Sequence, residues 1–351
     1  MNKKRIIGLA VAVAASASMV LSGLAPASAA TPSVTDFCPT VPTKVGYAKG
    51  SNNLWTKTVL AELKLEAAKC KNITDVIFTD AGGDPQKSIS DFNGLVAQGV
   101  KVIIAQPEAG PVMLPAIKAA TAAGVKVVNF ISTPGGSAPA DYVAFINHDV
   151  KYIGEQQAAF FNRALKGKGK IAFLGGVPGA ASSITFFNAF RTALKKYPGL
   201  KLVENNFIVT NWDPGQKKKV MTALLSKYGY IDGVVSDYTT TDTGVIDAYT
   251  AAKQKLPALA GQASANVNAQ QWQKKNFPFF SLDATTTPVK RALRFALAAL
   301  AGKTTSEPAL GKLSTYIDTT TKKNPKFYAD LPLGADASSS LTLSQLKEAI
   351  K

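Results

Sequence analysis

From residue 43 onward, short apolar runs rich in β-branched residues alternate with longer stretches whose apolar positions recur every three or four residues. The first kind suits strands covered on both faces, and the second suits helices that cover them. The runs 44–48, 75–79, 100–105, 125–131 and 143–146 predict one series of strands. A second series is predicted at 170–174, 200–208, 231–236, 258–262 and 278–282. Between them Val59, Leu63 and Ala67 share one helical face, as do Ile89, Phe92 and Val96. Punctuation agrees: Asp84-Pro85, Asp213-Pro214 and Thr287-Pro288 place a capping side chain before a proline at the first helical position. Gly99, Gly124 and Gly302 stand where carboxyl-terminal caps belong. Repeated strand, helix, strand units imply right-handed crossovers and parallel sheets. The expected fold class is α/β, with two Rossmann-like lobes of parallel sheet flanked by helices.

The series breaks near 147–149, which divides the chain. The expected organisation is a leader over 1–30, an amino-terminal lobe over 40–147 plus 285–312, a carboxyl-terminal lobe over 148–284 plus 313–323, and a tail over 324–351. That tail is rich in Ser, Thr and Ala and is expected to wrap one lobe and end in a short helix.

The leader reads as a secretory signal peptide. Lys3, Lys4 and Arg5 precede an apolar run from Ile6 to about Leu24, closed by Ala27-Ser28-Ala29. The triplet Leu21-Ser22-Gly23 is followed by Leu24, not Cys, so no lipid anchor is expected there. Export changes the reading of the two cysteines. In an oxidising compartment Cys38 and Cys70 are expected to form one disulfide, tying the amino-terminal arm to the end of the first helix. With two Cys and one His in the whole chain, neither a metal site nor a cofactor is expected.

The chain carries 40 Lys and Arg against 23 Asp and Glu, a formal charge of +17; three basic residues leave with the leader. The lysines are scattered, with one dense run at Lys217-Lys218-Lys219, read as solvated surface. No basic stripe interleaved with aromatics is present, so nucleic acid is not an expected partner. An anionic envelope polymer or a signal molecule is the alternative partner that the charge suggests.

In open parallel sheets ligands sit beyond the carboxyl ends of the strands. The residues found there are amides, hydroxyls and aromatics: Asn52, Asn53, Trp55, Gln106, Ser132, Phe186, Trp212, Asp237, Tyr238 and Asp283. These are the candidate ligand-binding residues. Ring faces pack on apolar groups or on the carbon-hydrogen faces of sugars, while amides and carboxylates fix hydroxyls. No catalytic residue is expected: His148 is the only histidine and Asp149 beside it reads as a helix start, and neither a nucleophile elbow nor a phosphate-binding loop occurs. Ser344 and Lys347 share the spacing of a nucleophile and its base, but on a terminal helix and without companion motifs.

Over about residues 43–312 the chain resembles the periplasmic sugar-binding proteins of the ribose-binding type, the extracytoplasmic receptors of ABC importers. The resemblance is carried by Asp80-Ala81-Gly82-Gly83-Asp84-Pro85-Gln86-Lys87, by Leu95-Val96-Ala97-Gln98-Gly99-Val100, by Ile103-Ile104-Ala105-Gln106-Pro107, and by the segments 114–120 and 123–128. In the second half it rests on 169–172, Trp212-Asp213 and 233–237. It implies two lobes, three hinge crossings, a monomer that closes on a small-molecule solute, and a membrane permease as partner. Departures bear on the ligand. Ile131-Ser132 stands where family members that bind ribose or galactose carry Asp-Arg, Phe186 where they carry Arg, Tyr238 or its neighbours for an Asn, and Ala263 for an Asp. Without the planar guanidinium groups, a less polar or cyclic solute becomes as well suited as a free pentose or hexose.

Overall fold

Thirteen strands and ten α-helices build two sheets in the computed structural model, which describes residues 32–351. The leader expected over 1–30 lies outside the described residues. In chain order the first half runs β1 (Thr43–Lys49), α1 (Leu54–Ala67), β2 (Ile73–Asp80), α2 (Pro85–Ala97), β3 (Val102–Gln106), α3 (Leu114–Ala122), β4 (Lys126–Phe130) and β5 (Ala144–His148). The second runs α4 (Val150–Ala164), β6 (Gly169–Gly175), α5 (Ala181–Leu194), β7 (Leu200–Leu202), β8 (Ile208–Val209), α6 (Pro214–Tyr228), β9 (Gly233–Ser236), α7 (Thr243–Ala251), β10 (Ala258–Gln262), α8 (Asn266–Lys275) and β11 (Phe279–Asp283). The chain then returns through α9 (Pro288–Leu300), β12 (Leu310–Gly311), β13 (Ser314–Asp318) and, at its end, α10 (Leu343–Ala349).

The first sheet has the order β12-β5-β4-β3-β1-β2 and is parallel throughout. The second has the order β13-β11-β10-β9-β6-β7, with β8 also on β6; only β13 runs antiparallel. Each sheet is buried on both faces. In the first lobe α1 and α9 close one face over Val45, Tyr47, Val102 and Ile104, and α2 and α3 close the other over Ile103, Ala105 and Val127. In the second, Phe160, Phe161, Phe173 and Phe190 fill one face and Leu174, Val234, Tyr249 and Phe279 the other. The chain passes from sheet to sheet after β5, after β11 and between β12 and β13.

The caps read from the sequence act as expected at Asp84, Asp213 and Asp149, whose carboxylates accept from backbone N–H groups of the first helical turn. Gly99, Gly124 and Gly302 take positive φ, and the residue after each donates back five positions, closing the helix end. Thr287 does not cap α9; its hydroxyl donates to Glu62 of α1 (3.3 Å). The run 200–208 is two strands, not one, because Val203 to Asn206 leave the ladder in a bend before Ile208 returns to β6. Cys38 and Cys70 are bonded, Cα to Cα 5.2 Å, which joins the arm to the turn that follows α1.

The tail does more than wrap one lobe. Asn266 and Val267 of the second lobe donate to the carbonyls of Ala335 and Leu333 (both 2.8 Å), the Ser338 hydroxyl accepts from the Ala284 N–H (2.7 Å) at a crossing, and the Ser340 N–H reaches Glu62 of the first lobe (3.0 Å). Leu331, Leu341 and Leu346 then pack with Ala61 of α1. The tail bridges both lobes because its apolar side chains pack on α1 of the first while its backbone carbonyls accept from the start of α8 in the second.

Candidate functional site

In each sheet the strand order reverses at the first strand of its series: β1 has β2 on one side and β3 on the other, and β6 has β7 and β8 on one side and β9 on the other. Loops that follow these strands diverge, and the gap between them is a crevice. The two crevices face each other across a partly open cavity lined by residues of both lobes.

The first lobe supplies a charged wall. Lys49 ends β1 in register with Gln106 of β3. Its ammonium pairs with the Glu108 carboxylate, which also accepts from the Ser51 hydroxyl (2.8 Å), and both partners are buried. Gln106 accepts from the Tyr47 phenol (3.1 Å). Over this wall lies Trp55, stacked on Phe130 with 6.0 Å between ring centroids and donating from Nε1 to the Thr285 hydroxyl (2.8 Å) at the second crossing. Asn53 reaches the cavity while its Oδ1 caps α1 by accepting from the Thr56 N–H (3.0 Å).

The second lobe supplies an aromatic wall around one carboxylate. Trp212 follows β8 in a left-handed backbone conformation, φ 51°, that turns its indole inward. The ring lies flat on Gly176, where a Cβ would stand 2.2 Å from Cε2 and Cζ2, so only glycine admits it. Its Nε1 donates to Asp237 (2.9 Å), which also accepts from the Ser183 hydroxyl; that hydroxyl in turn accepts from the Gly176 N–H (3.0 Å). Phe186 and Tyr238 complete the wall. The loop bearing Asp237 and Tyr238 is held from beneath by Lys217, wholly buried, whose ammonium donates to Ser236 Oγ (2.6 Å), to the Tyr238 carbonyl (2.8 Å) and to Asp242 (2.6 Å). The dense lysine run is therefore not all surface: Lys218 and Lys219 are exposed and Lys217 is a core residue.

Of the ten candidates from the sequence, Asn53, Trp55, Gln106, Phe186, Trp212, Asp237 and Tyr238 lie on this cavity. Three do not. Asn52 faces an outer groove near the cleft mouth, because the turn into α1 points Asn53 and not its neighbour inward. Ser132 is fully buried behind Ile131, which takes φ 62° and lines the cavity itself. Asp283 is buried too, its oxygens accepting from the N–H and hydroxyl of Ser264 and from the Ser281 hydroxyl, so it fastens strand ends beside a crossing. Lys49, Glu108, Ser182, Gln262 and Thr285 are on the cavity and were not among the candidates, nor was His148 as a binding residue. Lys49 and Glu108 had a legible signal, since each stands at or just past the end of a strand already placed. Gly176 had none.

Burial pushes the Asp237 carboxyl up to about 6, against the lowering effects of Ser183, Lys217 and Trp212. Its folded value lies above its unfolded one, so between about pH 6 and 4 the folded chain takes up the proton first, and acidification relieves this group and does not destabilise the fold through it. What acid removes is an acceptor. Affinity for a hydroxylated ligand is expected to fall as pH drops from 7.5 to 5, and Asp237→Asn to flatten that dependence; titration calorimetry at the two pH values checks it, and equal slopes for both proteins would refute the role.

Residues 46–304 match the family model described as periplasmic binding protein domain. The chain belongs to this family. This binding protein is 25% identical over 240 residues to the xylitol-binding protein of Mycolicibacterium smegmatis, an alignment covering 67% of this chain and 66% of that one. It is 27% identical over 180 residues to the D-xylose-binding periplasmic protein of Escherichia coli, covering 50% and 53%. The matched segments thus span about two thirds and about half of those relatives. Among solved structures, the periplasmic binding component of the arabinose ABC transporter of Shewanella sp. ANA-3, bound to L-arabinofuranose, superposes with a TM-score of 0.68 at 22% identity, over 78% of this chain and 92% of that one. That likeness concerns the fold, the two-lobed architecture of type I periplasmic binding proteins.

Proposed function

We propose that the protein is the extracytoplasmic solute-binding component of an ABC importer, closing its two lobes on one small, neutral, hydroxylated solute and delivering it to a membrane permease. The observation that carries the reading is the cavity between the lobes, where the rings of Trp55, Phe186, Trp212 and Tyr238 share the lining with the buried amides and carboxylates of Gln106, Glu108, Asp237 and Gln262. Aromatic faces take the carbon-hydrogen side of a sugar or cyclic polyol, and the polar groups orient its hydroxyls. Relatives named for xylitol and D-xylose support a polyol or pentose over an aromatic compound. The ammonium of Lys49 is neutralised by Glu108, so this wall offers hydrogen bonds without demanding an anion. The protein is proposed to act as a monomer, exported by its leader and without a lipid anchor, with no nucleic acid partner and no chemistry performed on the solute.

A thermal-shift screen of residues 31–351 against pentoses, hexoses, pentitols, inositols and nucleosides tests this. A ligand that binds only the folded state raises the melting temperature in a saturable way. A rise confined to sugars or polyols is the expected result. No rise with any small molecule, combined with salt-sensitive retention on an anionic envelope polymer, would sink the importer reading.

A further inference from the structure

The tail runs from one lobe to the other beside the second crossing, the segment that follows β11. Leu333 and Ala335 accept from the first two amides of α8 in the second lobe (both 2.8 Å). Gly334 between them lies against the first residue of α1 in the first lobe, where a Cβ would stand 2.0 Å from Leu54 Cδ1. Ser338 then accepts from the Ala284 N–H at the crossing itself (2.7 Å), and the Ser340 N–H donates to Glu62 of α1 (3.0 Å). A rotation about the crossings that parts α1 from α8 must break one of these two sets of contacts.

Three buried carboxyl groups gather under this segment: Glu62, Asp283 and Asp336. Asp336 accepts from the Ser338 N–H (2.9 Å), Ser338 holds the residue next to Asp283, and Glu62 accepts from Ser340 and from the Thr286 hydroxyl (2.9 Å). Asp336 Oδ2 and Glu62 Oε2 are buried with no hydrogen-bond partner among the described residues. Tyr316 of β13, bonded to Tyr328 of the tail, and Tyr238 are the other titratable groups near Asp336, and the Lys290 ammonium of α9 is spent on the Ser340 hydroxyl. Resting on the closing motion proposed above, we infer that residues 331–341 are a strap that holds the lobes in the arrangement described here while Asp336 is protonated, and that loosens when this carboxyl ionises. Ionised, Asp336 sets a charge beside two other carboxyl groups in a dry place with one oxygen unpaired; a proton removes the charge and turns an acceptor into a donor. Burial, then Asp283 and Glu62, push the Asp336 carboxyl up to about 7, against hydrogen bonds from Ser338. The docked strap therefore keeps its proton between about pH 4 and 7 while a freed one has lost it, so docking weakens as pH rises through that window and is weakest above it. Contacts that exist only in this arrangement favour it over an opened one, and their loss shifts the population toward opening.

The test uses residues 31–351 without solute, because loss of the Asp237 acceptor in acid moves affinity the opposite way. Hydrogen exchange of the Asn266, Val267, Ala284 and Ser340 amides is followed at pH 6 and 8.5 and corrected for intrinsic rates. Spin labels on Ser90→Cys of α2 and Lys218→Cys of α6, both exposed, report the distance between the lobes. In the otherwise wild-type chain these amides are expected to exchange about 10-fold faster at pH 8.5 than at pH 6, with the distance shifted to longer values. Asp336→Asn keeps the acceptor for Ser338 without the charge, and is expected to show neither change. Leu346→Ala removes a buried anchor of the tail beside α1 and is expected to lengthen the distance at both pH values. If Asp336→Asn fails to fold, the wild-type series and Leu346→Ala decide. Wild-type exchange that is independent of pH, an Asp336→Asn variant that follows the wild type, or strap amides that loosen while the lobes stay as they are would each overturn the inference. A chain that shows the expected changes yet binds no solute would overturn the importer reading alone.

Discussion

Replacing Lys217 by methionine is expected to lower the melting temperature by on the order of 10 °C. The ammonium is fully buried and all three of its protons are used, on Ser236, on the Tyr238 carbonyl and on Asp242. Methionine matches the length of the stem but leaves Asp242 as an uncompensated buried carboxylate, a loss of roughly 3 to 5 kcal/mol when one partner of a buried pair is removed. Burial already raises the Asp242 carboxyl, and Lys217 is what opposes that rise. Pairing Lys217→Met with Asp242→Asn is expected to restore more than half of the lost stability, since no unpaired charge remains. Calorimetric unfolding of the three variants checks this, and a single variant that melts within about 2 °C of wild type would refute the buried-pair account. Solute affinity should fall in Lys217→Met as well, because the loop it holds carries Asp237 and Tyr238 into the cavity.

The second large effect concerns the indole platform. Trp212→Ala is expected to weaken binding of the best sugar or polyol by on the order of 100-fold, the loss typical of a buried aromatic anchor. Two things go together: the ring face that packs on the solute, and the Nε1 donor that holds Asp237. The ring is only partly buried, so the ligand-free fold should lose little. Gly176→Ala separates the side chain from its seat. An added Cβ would overlap the six-membered ring at 2.2 to 2.6 Å, so the indole must lift away, drawing its Nε1 from Asp237 although no polar side chain is removed. Affinity is expected to fall in the same direction in both variants. Titration calorimetry decides it; Gly176→Ala binding as tightly as wild type would show that the indole does not need its seat.

The sequence alone determined the alternation of strand and helix, because apolar periodicity and cap residues are local signals. Asp84, Asp149 and Asp213 start helices where their positions say they must, and Gly99, Gly124 and Gly302 end them. Strand ends could therefore be located, and seven of the ten residues chosen there reach one cavity. Tertiary structure decided the rest, for reasons of direction and pairing that no local pattern carries. A strand end has two faces, and the left-handed turns at Ile131 and Trp212 choose which side chain goes in, bringing Ile131 to the cavity and leaving Ser132 behind it. Lys217 reads like Lys218 and Lys219 beside it, yet only its Cβ points at Asp242, twenty-five residues away. The two short strands β12 and β13, the tail that ties the lobes together, and the carboxyl groups of Glu62, Asp283 and Asp336 gathered beneath it all depend on what lies across a gap in space, and the order of residues does not record that gap.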